Sequence, residues 1–293
     1  MEAPSVAVIG AGGVGTLVAA HLQEAGHDVT LCVRRPVDRL VVETPARTRR
    51  LPARSVLDPD AVGVADWVLL ATKGHQTRDA APWLARLAGE RSVVVVLQNG
   101  VDHRERLAPL VGGAELLPAL VYTYAESVEP GHVRHSKGNH LVVPAGRCGA
   151  RFAALLASSG LQVRQDPDFH TAAWRKLLGN VAANPVTALT GRRGEVLHDV
   201  DVLRLCTAVM RECVEVARAE GADLGEQDVA ALEEVFRTFP PDAGTSMLWD
   251  RLAGRRLEHE LINGAVVRAG RRRGIPTPLN EALLTLLRAI DPA

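Results

Sequence analysis

The run Val6-Ala-Val-Ile-Gly10-Ala-Gly12-Gly13-Val-Gly15 constrains this chain more than any other segment. Four apolar residues lead straight into a glycine-rich turn, and a helical pattern carrying Leu17, Val18 and Leu22 follows as far as Gly26. A buried strand, a tight turn and a helix in that order hold the pyrophosphate of a dinucleotide. Gly10 permits the turn, Gly12 lets bare backbone approach the phosphates and Gly15 lets the helix pack close to the strand. The helix N-terminus adds N–H donors and a partial positive charge. A second strand pattern, Val29 to Val33, completes the context that a lone glycine motif lacks.

Residues 3–23 hold no Asp, Glu, Lys or Arg and superficially resemble a signal peptide or a membrane span. The chain starts Met1-Glu2, whereas a secretory n-region is positive, and glycines, His21 and Gln23 interrupt the apolar run. The expectation is a soluble, cytoplasmic protein with no membrane partner. At 293 residues and 47% hydrophobic composition, two cores are expected. Lys and Arg together number 34, as do Asp and Glu, so nothing marks a general polyanion binder. No nucleic-acid partner is expected, and the arginine-dense stretch from Arg34 to Arg54 reads as a solvated loop. Cys32, Cys148, Cys206 and Cys213 form no C-x-x-C pair, so no metal site is expected. Cys206 and Cys213, seven apart on a helical pattern, read as packing residues.

The first half alternates short apolar runs with helical patterns, as in a parallel sheet covered on both faces. Strands are expected at Val6–Ile9, Val29–Val33, Trp67–Ala71 and Val93–Leu97, with helices near 14–25, 76–88 and 102–110. Period-two alternation then predicts antiparallel additions at Ala119–Ala125, His132–His135 and His140–Val143, turning at Pro130-Gly131. A helix over 149–158 and a strand Leu161–Gln165 close the unit, with Pro167 as the boundary. Beyond it only helical periodicity remains, including a long element from about Ser246 to Arg273. The fold class is therefore α/β: a Rossmann-type doubly wound sheet over 1–167, followed by an all-α second domain over 168–293.

Choice of nicotinamide cofactor falls at the end of the second strand, where an acidic residue would bind a ribose 2′-hydroxyl. This chain has Val33-Arg34-Arg35 there, with no carboxylate until Asp38. A guanidinium grips a 2′-phosphate, so Arg34 points to NADP(H). As the first residue of the arginine-dense stretch, Arg34 also has an ordinary surface reading.

In the second half, Trp174-Arg-Lys176-Leu-Leu-Gly-Asn180-Val-Ala-Ala-Asn184-Pro185 places three polar side chains at i, i+4 and i+8. They drift only about 80° around a helix and share one face. Pro185 is expected to kink or end that helix and to bias Asn184 away from helical geometry. Such a face is often merely solvated, yet asparagine is a mediocre helix former and two occur here beside apolar neighbours. Ser246 stands where a helix begins, either as an N-cap or as part of an anion site. Glu258 reads equally as a surface carboxylate. Lys73 and Asn99 follow the ends of the Trp67–Ala71 and Val93–Leu97 strands, where open α/β sheets bind ligands. Asn99-Gly100 has a plain turn reading too.

Gly10–Gly15, Thr72-Lys73, Leu97-Gln-Asn-Gly100, Pro130-Gly131, Lys176 with Asn180 and Asn184-Pro185-Val-Thr187, Ser246-Met247 with Asp250, and Glu258 with Ile262-Asn-Gly264 together resemble the 2-dehydropantoate 2-reductase (ketopantoate reductase) family over almost the whole chain. The resemblance implies reduction of 2-dehydropantoate to (R)-pantoate by NADPH, a step toward pantothenate and coenzyme A. It implies Lys176 as general acid, a lysine near its ordinary pKa being protonated at neutral pH. It assigns Glu258 to orient Lys176 or the cofactor ribose. It gives the cofactor Gly10, Ala11, Gly12, Gly13, Val14, Gly15, Arg34, Lys73, Asn99, Ala125 and Glu258. The substrate receives Asn99, Lys176, Asn180, Asn184 and Ser246, the last for its carboxylate. A homodimer is among the assemblies it admits. Reduction of another branched 2-oxo acid and non-catalytic sensing of NADPH are the competing readings.

Overall fold

A computed structural model describes residues 3–292. The chain forms two compact units: residues up to Gln98 together with His103–Phe169, and Asn99–Asp102 together with residues from His170 onward.

The first unit runs β1 (Val6–Ile9), α1 (Gly13–Glu24), β2 (Val29–Cys32), β3 (Arg39–Glu43), β4 (Thr48–Pro52), β5 (Arg54–Val56), β6 (Trp67–Leu70), α2 (Thr77–Leu87), β7 (Val93–Val96), α3 (His103–Leu107), β8 (Glu115–Pro118), β9 (Leu120–Glu129), β10 (His132–Pro144), α4 (Arg147–Leu156) and β11 (Gln162–Asp166). Six strands pair in parallel in the order β5-β2-β1-β6-β7-β8. Strand order reverses between β1 and β6, the crevice where doubly wound sheets bind ligands. Every residue of β1, β6 and β7 is buried because helices cover both faces. One face packs on Ala80, Trp83 and Leu84 of α2.

α1 packs on the other face and is itself covered by a second sheet. That sheet runs β11-β10-β3-β4, with β9 also paired to β10. Leu17, Val18, Ala19, Ala20 and Leu22 are consequently fully buried. A helix enclosed on all sides is apolar all round, which is the physical reason residues 3–23 resemble a membrane segment. Among the described residues, no helix is long and apolar enough to cross a membrane.

The second sheet corrects three expectations. The Arg34–Arg54 stretch is not a solvated loop: β3 and β4 form an antiparallel hairpin within it and β5 joins the main sheet. Leu40 and Val42 point into the core, Arg39 and Arg50 are exposed, and the largely buried Arg49 donates to Glu24 Oε1 at 2.6 Å. Charge on an outward face and edge hides a strand from composition. The expected strands His132–His135 and His140–Val143 are one strand, β10, which passes Lys137-Gly138-Asn139 through bulges. Gly138 has φ +75, and a Cβ there would lie 2.3 Å from the Tyr122 carbonyl oxygen. β10 is antiparallel only to β9; its pairings with β3 and β11 are parallel.

The second unit is helical: α5 (Phe169–Thr190), α6 (Val200–Ala219), α7 (Glu226–Arg237), α8 (Ser246–Leu252), α9 (Asn263–Arg273) and α10 (Pro278–Ile290). Its core joins Trp174, Leu177, Leu178 and Val181 of α5 to Val209 and Met210 of α6 and Val266 of α9. Cys206 and Cys213 sit in that core as packing residues, and burial pushes both thiols up, that of Cys206 to about 12.

Two further expectations are revised here, and the first concerns Pro185, which does not end its helix. α5 continues through Pro185 to Thr190. Proline supplies no N–H to the carbonyl four residues earlier, and the side chain of Asn263 supplies it instead, donating Nδ2 to the Val181 oxygen at 3.0 Å. Asn263 is fully buried and also donates to Asn280, which binds the Val209 carbonyl and Glu212. A distant amide thus repairs the break, and Asn184 stays helical. The element expected from Ser246 to Arg273 is likewise two helices. Gly254 in a left-handed conformation (φ +63) stops α8, and the Arg255 amide closes back on the Asp250 carbonyl at 2.8 Å. Gly274 caps α9 with φ +69, as the sequence suggests.

Candidate active site

In the first unit, the glycine loop leaves the carboxyl end of β1 at the strand-order reversal. Gly10 takes φ +99. A Cβ on Gly15 would lie 2.0 Å from the Gly10 carbonyl oxygen, and one on Gly13 would lie 2.2 Å from the Ala125 oxygen on β9. Gly13 is therefore required by an overlying strand, and Ala125 is its neighbour across the helix start. A Cβ on Gly12 meets nothing within 4 Å. The backbone is bare and open at Gly12, whose extended conformation caps α1 without a side-chain bond. The loop residues, Ala11 and Val14 included, fit a dinucleotide pyrophosphate at this helix start.

Lys73 follows β6 and begins a short helical turn, its amide bonded to Gln76. Gln98 at the end of β7 is buried and donates to the Thr72 carbonyl at 3.1 Å, tying the two strand ends together. Arg34 lies two residues past β2, exposed, and forms no ion pair among the described residues.

In the second unit, three segments far apart in sequence meet. Lys176 Nζ donates to Asn99 Oδ1 at 3.2 Å, and Asn99 Nδ2 donates to Glu258 Oε2 at 3.0 Å. An ammonium can only donate and a carboxylate can only accept, so the amide between them has one consistent orientation. Glu258 is 6% exposed, which rules out the surface-carboxylate reading. Asn99-Gly100 is more than a turn, since Asn99 bridges two ionisable groups.

Burial pulls the Lys176 ammonium down to about 8, and the negative charge of Glu258 opposes that fall. The expectation of an ordinary lysine pKa is thereby corrected: desolvation outweighs the carboxylate.

Asn180 and Asn184 follow Lys176 by one and two turns along α5. Asn184 is 3% exposed, and its Nδ2 has no hydrogen-bond partner among the described residues. Beyond it Thr187 shares a 2.7 Å hydrogen bond with Thr245. Thr245, not Ser246, is the N-cap of α8, its hydroxyl accepting from the Leu248 amide at 3.2 Å. The cap falls one residue earlier than Ser246 because Thr245 has the extended backbone a cap requires. That leaves the Ser246 hydroxyl exposed and outside the cap. The polar face of α5 thus has Asn99 and Glu258 at one end and the Thr245-Ser246 loop at the other. Sequence reasoning gave Thr245 no role and placed Asn263 only within the Ile262-Asn-Gly264 motif, without its part in α5. A buried asparagine paired with an internal proline of another helix leaves no local signature.

A glycine-loop domain followed by a helical unit in which a half-buried lysine and asparagine meet a buried glutamate has the organisation of a nicotinamide-dependent oxidoreductase. Residues 6–148 match the family described as "Ketopantoate reductase PanE/ApbA", and residues 168–291 match its C-terminal counterpart. The chain belongs to the ketopantoate reductase PanE/ApbA family of oxidoreductases, which use a nicotinamide cofactor. It is 41% identical to the 2-dehydropantoate 2-reductase of Mycobacterium tuberculosis, with 98% of each chain covered. A PanE/ApbA family ketopantoate reductase structure from Ralstonia eutropha matches with a TM-score of 0.88 at 35% identity, covering 97% of both chains. A dimeric ketopantoate reductase from Staphylococcus aureus also matches with a TM-score of 0.88, at 28% identity and 98% coverage of both chains.

Proposed function

We propose that this chain reduces 2-dehydropantoate to (R)-pantoate with NADPH, using Lys176 as general acid. The observation that carries the reading is the hydrogen-bonded Lys176–Asn99–Glu258 chain, half-buried at Lys176 and Asn99 and buried at Glu258, in a family of ketopantoate reductases. A bound reduced nicotinamide would supply a hydride to the ketone carbon. Lys176 Nζ gives its proton to the ketone oxygen as that oxygen gains charge, becomes a neutral amine and regains a proton from solvent. An acid with a pKa near 8 is mostly protonated at neutral pH yet gives up its proton readily, close to the Brønsted optimum. Glu258 favours the charged amine, and Asn99 fixes its direction. The ammonium also stabilises the developing alkoxide.

The unpartnered Asn184 amide offers a buried donor to a substrate oxygen, an interaction costing about 1–3 kcal/mol when left unmade. Asn180 lies one turn away for a second contact, and the exposed Ser246 hydroxyl meets the substrate carboxylate. Arg34 at the end of β2 holds the 2′-phosphate. Lys73 meets the cofactor phosphates or ribose. Since the Staphylococcus aureus relative is dimeric, a homodimer is the assembly we expect, checked by light scattering.

The test follows NADPH absorbance across a panel of 2-oxo acids. Turnover should be highest with 2-dehydropantoate. Faster turnover of another branched 2-oxo acid would replace the substrate, and NADPH binding with no oxidation by any of them would make the chain a sensor.

A further inference from the structure

Two of the three segments that meet at Lys176 are loops: Asn99–Asp102, and the stretch around Glu258, which continues into a 3₁₀ turn at His259–Leu261. The Asn99–Glu258 contact is the hydrogen bond already described. A second cross-link lies a few residues further along both loops. Arg268, on α9, donates Nη2 to Asp102 Oδ2 at 3.1 Å and to the Glu260 carbonyl oxygen at 2.9 Å. Its Nη1 donates to Glu260 Oε2 at 3.3 Å. Asp102 is three residues past Asn99, and Glu260 is two past Glu258.

We propose that Arg268 is a positioning residue for the reaction, one guanidinium fastening the Asn99 loop to the Glu258 loop and thereby holding both against Lys176. The inference rests on the general-acid reading of Lys176.

The chemistry suits the task. A guanidinium presents several donors in a rigid plane, so it reaches a carboxylate and a carbonyl on different segments at once. Glu260 is itself braced: Arg288 Nε, from α10, donates to its other oxygen at 2.7 Å. Burial pushes the Glu260 carboxyl up, but Arg288, His259 and Arg268 together hold it below the usual range and ionised. Gly264 leaves the room this pair needs, since a Cβ there would lie 2.9 Å from Glu260 Oε2 and 3.1 Å from Arg268 Nη1. Gly100 is similarly placed, at φ +110, with a Cβ 3.4 Å from the Leu261 carbonyl oxygen and 3.3 Å from Asp102 Oδ1. Glycines on the Asn99 loop and at the start of α9 therefore admit the close approach that Arg268 holds.

If the loops separate, Glu258 withdraws and Lys176 loses the charge that opposes desolvation. Its pKa then falls, and the alkaline limb of kcat/KM moves to lower pH. A purely structural role would lower thermal stability without moving that limb.

The experiment measures NADPH-dependent turnover of 2-dehydropantoate in Arg268→Ala and Asp102→Asn, with Lys176→Ala alongside. Asp102→Asn leaves the Arg268–Glu260 pair intact, so it reports on the loop tie even where Arg268→Ala fails to fold. Support is a fall in kcat of about tenfold or more in Asp102→Asn, the scale set by small misplacements of reacting groups. It requires unchanged NADPH affinity and an alkaline limb displaced to lower pH. A limb at the wild-type pH with kcat within about twofold overturns the inference. If Lys176→Ala is slow while both loop variants are normal, the positioning role alone falls. Wild-type turnover in Lys176→Ala would remove the general-acid reading and this inference with it.

Discussion

The glycine loop and the lysine site solve opposite problems. Gly10–Gly15 is contiguous and works by what it lacks: Cβ atoms at Gly13 and Gly15 would strike backbone oxygens, and the space over Gly12 is open. The Lys176 site is assembled from Asn99, Lys176 and Glu258, and works by what it brings together, a half-buried amine and a buried carboxylate bridged by an amide. The loop's shape is set by backbone oxygens both nearby, at Gly10, and on β9, at Ala125, whereas the charge at Lys176 is set by partners more than 70 positions away.

The largest effect that would sharpen this comparison is at the charged site. Lys176→Ala should lower kcat/KM at least about 100-fold, the scale of losing a general acid, with NADPH affinity unchanged. Steady-state turnover and fluorescence binding measure the two halves separately, and loss of cofactor binding would break the division of labour.

Next come two substitutions within the loop. Gly15→Ala forces a Cβ to within 2.0 Å of the Gly10 carbonyl oxygen, so a loss of about 2–3 kcal/mol in unfolding free energy accompanies lost NADPH binding. Gly12→Ala adds a methyl group to open space at φ −77, leaving stability within about 0.5 kcal/mol while NADPH affinity falls about tenfold or more. Equal destabilisation by both would mean that Gly12 serves the fold rather than the ligand.

The helix beneath Lys176 offers a third test. Asn263→Leu leaves the Val181 carbonyl unpaired and should cost about 1–3 kcal/mol by denaturant titration. Adding Pro185→Ala restores a backbone N–H four residues beyond Val181 and should recover part of that loss. Additive damage would refute the repair. The smallest change is in cofactor choice: Arg34→Asp should reduce the preference for NADPH over NADH by about tenfold.

What could be read from the chain follows the same contrast. The four central strands and the glycine loop were legible because their patterns are local. The spacing of Lys176, Asn180 and Asn184 placed them on one face of α5, which the helix confirms. Continuation of α5 past Pro185 was illegible, because the compensating donor is Asn263, 78 residues later. The β3–β4 hairpin was masked by its arginines, of which Arg39 and Arg50 are exposed while Arg49 pairs with Glu24 of α1. Glu258 carried no local sign of burial, and only its resemblance to a family motif singled it out.

The central claim is that a half-buried, protonated Lys176 delivers the proton. Reductive kcat/KM, measured against pH with 2-dehydropantoate, reports the ionisations of the free enzyme and of the substrate. The acid must be protonated, so the rate should hold at neutral pH and fall as pH rises through about 8. In Lys176→Ala the residual rate should show no such fall. An alkaline limb that persists unchanged in the variant would assign the proton to another group and contradict the account.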